Sequence, residues 1–283
     1  MNQRRAFFLI TSLILTLFSC SLSLGKGAKD RASKGGDYVL KQELQSLLDD
    51  SKLMGTILIY DARHDRYFSN DFSMANMGKL PASTFKIPHT IIALETGVIQ
   101  SDTTWLKWDG RKRAFKIWEQ DLRLRDAFRY SCLPCYQQIA KKIGTEQMEK
   151  YIQKLHYGKM HVTASNLDKF WIEGNARISP IQQIDFLNRL VNTRLPISKR
   201  TEDIVKRMML LIQNDDYSLY GKTGWSTWQG VNNGWFVGYV RKGPYIYYFA
   251  TNIEPKAAFD MKSFAKIRKT ITYSALRQLG VIP

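Results

Sequence analysis

Histidine and cysteine are scarce in this chain of 283 residues, with four of the first and three of the second. His64, His89, His156 and His161 show no H-E-x-x-H spacing, which excludes the helix-borne zinc site of metalloproteases. Cys132 and Cys135 form a single C-x-x-C, and no second pair or histidine cluster completes a zinc site. No G-x-S-x-G run is present and no histidine falls into a role, which argues against a Ser-His-Asp hydrolase. A phosphate-binding G-x-x-x-x-G-K-[ST] loop is missing too. Acidic side chains are few, 25 against 42 lysines and arginines, giving a net charge of +17. The basic residues are scattered and carry no recognition motif, so nucleic acid is not expected as a partner. Anionic substrates and anionic lipid headgroups would both be drawn to such a surface.

Long apolar runs are also lacking. Ala6 to Phe18, preceded by Arg4 and Arg5, is too short for a stable membrane span and reads as an export signal over residues 1–19. Leu17-Phe18-Ser19-Cys20 fits either plain export or a lipoprotein signal with Cys20 as the lipidated terminus, a membrane attachment that the first version lacks. Residues 20–37 are rich in Gly, Ser and Lys without periodicity and read as a flexible tether. The remainder, 38–283, is long enough for one large domain. No internal repeat or low-complexity segment follows residue 37.

What is present begins with Ser83-Thr84-Phe85-Lys86. On a helix, positions three apart share a face with Cβ atoms roughly 5–6 Å apart, within reach for an amine to take a hydroxyl proton. A serine needs such a base, and a lysine serves only where its charge is suppressed. Phe85, Ile87 and the run Thr90-Ile91-Ile92-Ala93-Leu94 supply apolar surroundings. Pro81 and Ser83 are helix-start residues, so Ser83 is expected in a first turn whose free N–H groups can bind an oxyanion. Alone, this pair is common by chance. Lys222-Thr223-Gly224, some 140 residues downstream, gives it context as a cationic, hydroxyl-bearing strand edge suited to an acyl substrate with a carboxylate.

The flanking pattern predicts strands at Met54 to Tyr60, Arg66 to Ser69, Gly234 to Val240 and Tyr245 to Thr251, with a turn at Gly243-Pro244. Between about 83 and 214 the chain reads as mostly helical, including a segment from Thr145 and another capped by Ser179-Pro180. A last helix carries Phe264, Ile267, Ile271, Ala275 and Leu279 on one side and stops at Gly280. The expectation is an α+β fold. An antiparallel sheet is built from both chain ends (about 38–80 and 215–283), with flanking helices and an inserted helical lobe.

Six segments together resemble the class D (oxacillinase-type) serine β-lactamases. They are Ser83-Thr84-Phe85-Lys86, Ser131-Cys132-Leu133, Tyr157-Gly158-Lys159, Phe170-Trp171-Ile172-Glu173-Gly174, Lys222-Thr223-Gly224-Trp225 and Gly234-Trp235-Phe236-Val237-Gly238. The resemblance covers nearly the whole chain after the signal, and implies a penicillin-binding-protein-like fold and β-lactam hydrolysis in the bacterial periplasm or envelope. It makes Ser83 the nucleophile and Lys86 the general base, N-carboxylated by CO2 or bicarbonate. Trp171 would donate its indole N–H to that carbamate and Ser131 would relay a proton. Lys222, Thr223 and Gly224 would meet the substrate, with Thr223 and Lys222 on its carboxylate. Trp225 would add a backbone N–H to that of Ser83 in the oxyanion hole. Arg268 takes the place of the carboxylate-binding arginine and Leu133 lies over the modified lysine. No metal and no cofactor beyond CO2 are implied.

Two positions depart from the family pattern: Leu133 replaces a valine, and Lys159 follows Tyr157-Gly158 in place of an asparagine, near the expected pocket mouth. Cys132 and Cys135 are expected as buried structural thiols, with a disulfide as the alternative. A D,D-peptidase shares the serine-lysine and K-T-G motifs but lacks the W-I-E-G segment. A β-lactam sensor domain, acylated without turnover, is the second rival, and normally follows a multi-span membrane region.

Overall fold

The computed structural model describes residues 36–283; the expected export signal, Cys20 and the expected tether up to residue 35 lie outside them. The first strand begins one residue before the expected domain boundary. Strand β1 (Asp37–Leu40) is followed by helix α1 (Gln42–Asp50), then strands β2 (Leu53–Asp61) and β3 (Arg66–Ser69). Asp37 therefore belongs to the fold, because β1 pairs in parallel with β3 from Asp37 opposite Arg66 onward.

Helix α2 (Phe72–Asn76) leads through a tight turn, Ala82–Phe85, into α3 (Lys86–Glu95). Two short strands, β4 (Trp105–Leu106) and β5 (Leu122–Arg123), close a loop. Helices α4 (Leu124–Arg129), α5 (Leu133–Ile143), α6 (Thr145–Leu155), α7 (Pro180–Val191) and α8 (Lys199–Met209) follow. The chain ends with β6 (Leu210–Gln213), β7 (Ser218–Trp228), β8 (Val231–Lys242), β9 (Tyr245–Pro255) and α9 (Phe264–Gln278). The sheet order β1-β3-β2-β9-β8-β7-β6 joins both chain ends, as expected, and all its pairings except β1 with β3 are antiparallel.

Alternation along the central strands sorts side chains into two cores. Leu58, Tyr60, Val237, Tyr239, Tyr248 and Ala250 face the helical lobe. Ile57, Ile59, Phe236, Phe249 and Ile253 face the other way, onto α1 and α9. A strand buried on both faces loses the polar half of its alternation, which is why β2, β8 and β9 read as nearly continuous apolar runs. Each fully buried Ile or Phe contributes about 1.5–3 kcal/mol relative to exposure.

The α7 start is a complete capping box. Ser179 Oγ accepts from Gln182 N and Gln182 Oε1 accepts from Ser179 N, ahead of Pro180. The helical middle is less helical than its composition suggested: Lys107–Gln120 and Tyr157–Ile178 are turns and loops apart from one 3-residue helical turn, Lys116–Trp118. Both carry bulky apolar residues that pack on the cleft or beneath it, and it is this packing, not helical periodicity, that they serve.

Candidate active site

Ser83 sits on the Ala82–Phe85 turn just before α3 rather than within the helix proper. In such a tightened turn residues three apart eclipse, and Lys86 Nζ donates to Ser83 Oγ at 3.1 Å. Ala82 is held at φ 50°, in the left-handed region that non-glycine residues rarely enter, and its N–H donates to the Trp171 carbonyl at 2.7 Å. Thr84, buried beneath the serine, donates to the Pro81 carbonyl at 2.6 Å and accepts from Gln183 Nε2 at 2.9 Å. Tyr157 OH donates in turn to Gln183 Oε1 at 3.2 Å. The backbone around Ser83 is thus clamped from three directions, and Tyr157 belongs to that clamp. Lys159 is exposed on a backbone bridge with Arg177 and forms no part of the cleft wall, contrary to its expected place at the pocket mouth.

Lys86 has no solvent exposure. Burial pushes its amine down to about 7 from the usual lysine range, so the neutral form is accessible near neutral pH. Its Nζ lies 4.9 Å from the centre of the Tyr136 ring. Phe85 and His89, neighbours of Lys86 along the chain and the helix, pack on the buried Trp171 indole at 5.9 and 5.3 Å between ring centres. Trp171 Nε1 is buried and has no hydrogen-bond partner.

The K-T-G strand closes the other side. β6 pairs with β7 only over Ser218–Tyr220, which leaves β7 from Lys222 onward paired with β8 alone and open toward Ser83. Gly224 permits the approach: a Cβ there would meet the Pro81 carbonyl, Thr84 Cγ2 and Trp235 Cβ, each at 3.2 Å. Lys222, expected on the substrate carboxylate, is engaged within the protein here. It is buried, donating to Ser131 Oγ at 2.6 Å and to the Thr223 carbonyl at 3.0 Å. Alternation on β7 turns successive side chains to opposite faces, so Lys222 points inward while Thr223 lines the cleft. Burial, then the nearby charges of Lys86, Arg268 and Lys269, hold its amine well below the usual range. Ser131 itself is held at φ 55°.

Arg268 projects from α9 and is largely buried, which lowers its guanidinium to about 10. Nη1 donates to the Gly224 carbonyl and Nη2 to the Ala265 carbonyl at 3.1 Å, while Nε has no partner. Gly234 makes room for it, since a Cβ there would lie 3.0 Å from Arg268 Cδ and 2.8 Å from Phe264 Cζ.

Ser83, Ser131, Leu133, Thr223, Trp225 and Arg268 line one cleft of about 480 Å³. Lys86, Lys222 and Trp171 stand buried behind its wall. The structure also adds residues to which motif reading gave no role: Phe115, Ile117, Trp118, Tyr130 and Ile172 form an apolar rim. Trp118 Nε1 donates to the Tyr130 carbonyl at 3.0 Å, tying the 107–120 loop over the site. The one available signal was a cluster of aromatic and aliphatic residues inside an otherwise charged loop. Among the described residues no group of His, Cys, Asp and Glu could hold a metal ion.

The buried thiols expected at Cys132 and Cys135 are instead a disulfide. Their Cα atoms stand 5.4 Å apart, inside the range a disulfide bridges. The first turn of α5 creates that separation: Cys132 is its N-cap residue and Pro134 its early proline.

A mostly antiparallel sheet with a serine-lysine pair at the start of a buried helix, facing a K-T-G strand, defines a penicillin-binding-type acyl-transfer domain. Residues 55–275 match the family model for the penicillin binding protein transpeptidase domain. The chain is 41% identical over 217 residues to β-lactamase OXA-10 of Pseudomonas aeruginosa, covering 76% of this chain and 80% of that protein. It is 36% identical over 234 residues to β-lactamase OXA-48 of Klebsiella pneumoniae, covering 83% and 86%. The crystal structure of the class D β-lactamase YbXI from Nostoc superposes with a TM-score of 0.80 at 41% identity, over 84% of this chain and 99% of that one. This chain belongs to the class D serine β-lactamase family.

Proposed function

We propose that this protein hydrolyses β-lactams through an acyl-enzyme on Ser83, with Lys86 bearing the general base. One observation carries the reading: a fully buried lysine, its charge disfavoured down to about 7, lies 3.1 Å from the serine hydroxyl. A neutral amine is the form that reacts with CO2. The anion so formed needs a buried donor, and Trp171 Nε1 is one without a partner. These residues fit an N-carboxylated Lys86, which would supply an anionic oxygen base for the serine proton and for the deacylating water.

The other roles follow from position. Ser83 Oγ attacks the lactam carbonyl as its proton moves to the base on Lys86. Backbone N–H groups of Ser83 and Trp225 receive the oxyanion. Ser131 Oγ, held by Lys222 Nζ at 2.6 Å, passes a proton to the departing lactam nitrogen. Thr223 Oγ1 and the Arg268 guanidinium hold the substrate carboxylate, with Arg268 offering the unpartnered Nε. Lys222 acts from behind, through Ser131 and its field, rather than by direct grip. Leu133 and the apolar rim shape access to the base. Export is proposed from Arg4, Arg5 and the run Ala6 to Phe18, with Cys20 as the lipid attachment in the lipoprotein version.

Nitrocefin and oxacillin turnover in CO2-depleted buffer, with and without added bicarbonate, tests the reading. Bicarbonate is expected to stimulate turnover. Activity is expected to rise with pH through about 7, because below that value the protonated Lys86 cannot react with CO2. Lys86→Ala should lower turnover by about a hundredfold or more, within the range of a lost general base. A single acylation burst without turnover would mark a sensor instead. Turnover independent of bicarbonate and untouched by Lys86→Ala would remove Lys86 as base.

A further inference from the structure

Five buried side-chain polar atoms among the described residues have no hydrogen-bond partner, and three of them gather around Lys86: Trp171 Nε1, His89 Nδ1 and His89 Nε2. Buried polar groups without partners are rare and mark a place where something is bound or reacts. Trp171 is accounted for above. His89 is not used by the mechanism.

Its position is specific. His89 lies three residues after Lys86 on α3, so the two share one helix face. Both stand against the Tyr136 ring, the imidazole at 5.1 Å and Lys86 Nζ at 4.9 Å from its centre. The Trp171 indole lies 5.3 Å from the imidazole between ring centres, inclined to it by 67°. Phe85 closes a further side at 5.6 Å. Tyr136 OH is already engaged with Thr90 Oγ1 at 2.7 Å, so it leaves the imidazole unserved. No acidic side chain faces His89 from α3, α5 or the Trp171 segment, and burial, then the nearby Lys86, lower its pKa to about 3. The ring is therefore neutral, with one N–H and one lone pair, and both are unspent.

We infer that His89 is a positioning residue for the N-carboxylated Lys86, giving it a second buried N–H donor beside that of Trp171. This inference rests on the carboxylated-lysine reading. In that modification the Nζ lone pair forms a bond to the carbon of CO2, one C=O electron pair moves onto oxygen, and one amine proton leaves to water. The new carboxylate has several acceptor sites, and a single indole N–H can serve only one. A rigid imidazole, held by three aromatic rings, brings a donor at little cost in side-chain freedom. It does so without adding a cation that would compete with Lys222. The consequence is tighter retention of CO2, so that the base persists at low bicarbonate.

The test is titration of the protein with 13C-bicarbonate, reading the carbamate carbon by NMR, for wild type, His89→Leu and His89→Asn. His89→Leu removes the donor and should raise the half-saturating bicarbonate concentration by about tenfold or more, the scale of a lost hydrogen bond to a charged group. His89→Asn keeps an N–H donor and should recover most of the wild-type value, which a merely space-filling role would not produce. Equal half-saturation in wild type and His89→Leu would overturn the role of His89 while leaving the carboxylated lysine standing. Absence of any carbamate signal in wild type would overturn that underlying reading and this one with it. Should His89→Leu fail to fold, 15N-histidine spectra of the wild-type protein decide the matter. One neutral, buried imidazole of the four histidines should shift its N–H resonance when bicarbonate is added, and no shift overturns the proposal.

Discussion

At the scale of single residues, the site works by withholding water from cations. Lys86, Lys222 and Arg268 are all buried, and for each burial is the first cause that lowers its proton affinity. Three basic groups in one region also repel one another, so an anion entering the cleft relieves a cost already built into the fold. Arg268 is placed to feel this most directly, because its Nε has no partner until a carboxylate arrives. Arg268→Ala is expected to raise KM by about tenfold or more while kcat falls less, as removal of a charge-assisted contact would. Steady-state kinetics check this, with thermal melting as the control for folding, since Arg268 also ties α9 to the Gly224 and Ala265 carbonyls. Arg268→Lys should restore little, since a point charge lacks the guanidinium fork. An unchanged KM would count against the assignment.

At the scale of elements, the catalytic groups arrive on ends and edges whose local geometry is unusual. Ser83 follows a left-handed Ala82, and Ser131 is itself left-handed. Such residues hold only where their surroundings over-determine them. For Ala82 the surroundings are the Trp171 carbonyl and the Thr84–Gln183–Tyr157 network. For Ser131 they are Lys222 and the start of α5, which the Cys132–Cys135 disulfide pins. Leu133 lies inside that small ring and on the cleft wall. In the chain-entropy picture a loop this short contributes about 2 kcal/mol. Replacing both cysteines by alanine should lower unfolding free energy by about that amount. It should also reduce turnover more than acylation, because Leu133 borders the base. Denaturant melts beside single-turnover acylation would check both parts, and identical turnover would sever the link between the disulfide and the site.

At the scale of the whole molecule, two lobes meet along the open length of β7. The sheet comes from both chain ends, and the helical segment between them brings Ser83, Ser131 and Trp171 against its edge. The chain carries a surplus of positive charge, +17, around a cleft proposed to take an anion. Such a field speeds encounter with a negatively charged substrate and is weakened by salt. The ratio kcat/KM for an anionic β-lactam should therefore fall by about two- to fivefold between about 0.02 and 0.5 M salt, with kcat nearly constant. A kcat/KM that ignores ionic strength would show that the charge serves something other than capture.

Much of this was written in one dimension. Apolar runs and capping announced β2, β8, β9 and α7, and the spacing of Ser83 to Lys86 announced a reactive pair, because these depend on neighbours within a few positions. The strand carrying Lys222 announced a site edge, but not that Lys222 turns inward to Ser131 while Thr223 and Arg268 face the cleft. That division depends on which face of β7 the helical lobe covers. That Cys132 and Cys135 are bonded rather than free, that Phe115 to Trp118 form an apolar rim, and that His89 lies unpartnered near Lys86 stayed equally undecided. Each depends on burial and on the distance between atoms far apart along the chain or turned by one helical step. The amino-acid sequence by itself determined which chemical groups are present and the local geometry of the serine-lysine pair. Only the tertiary structure decided which of those groups lose water, and loss of water is what lets the Lys86 amine be neutral near neutral pH.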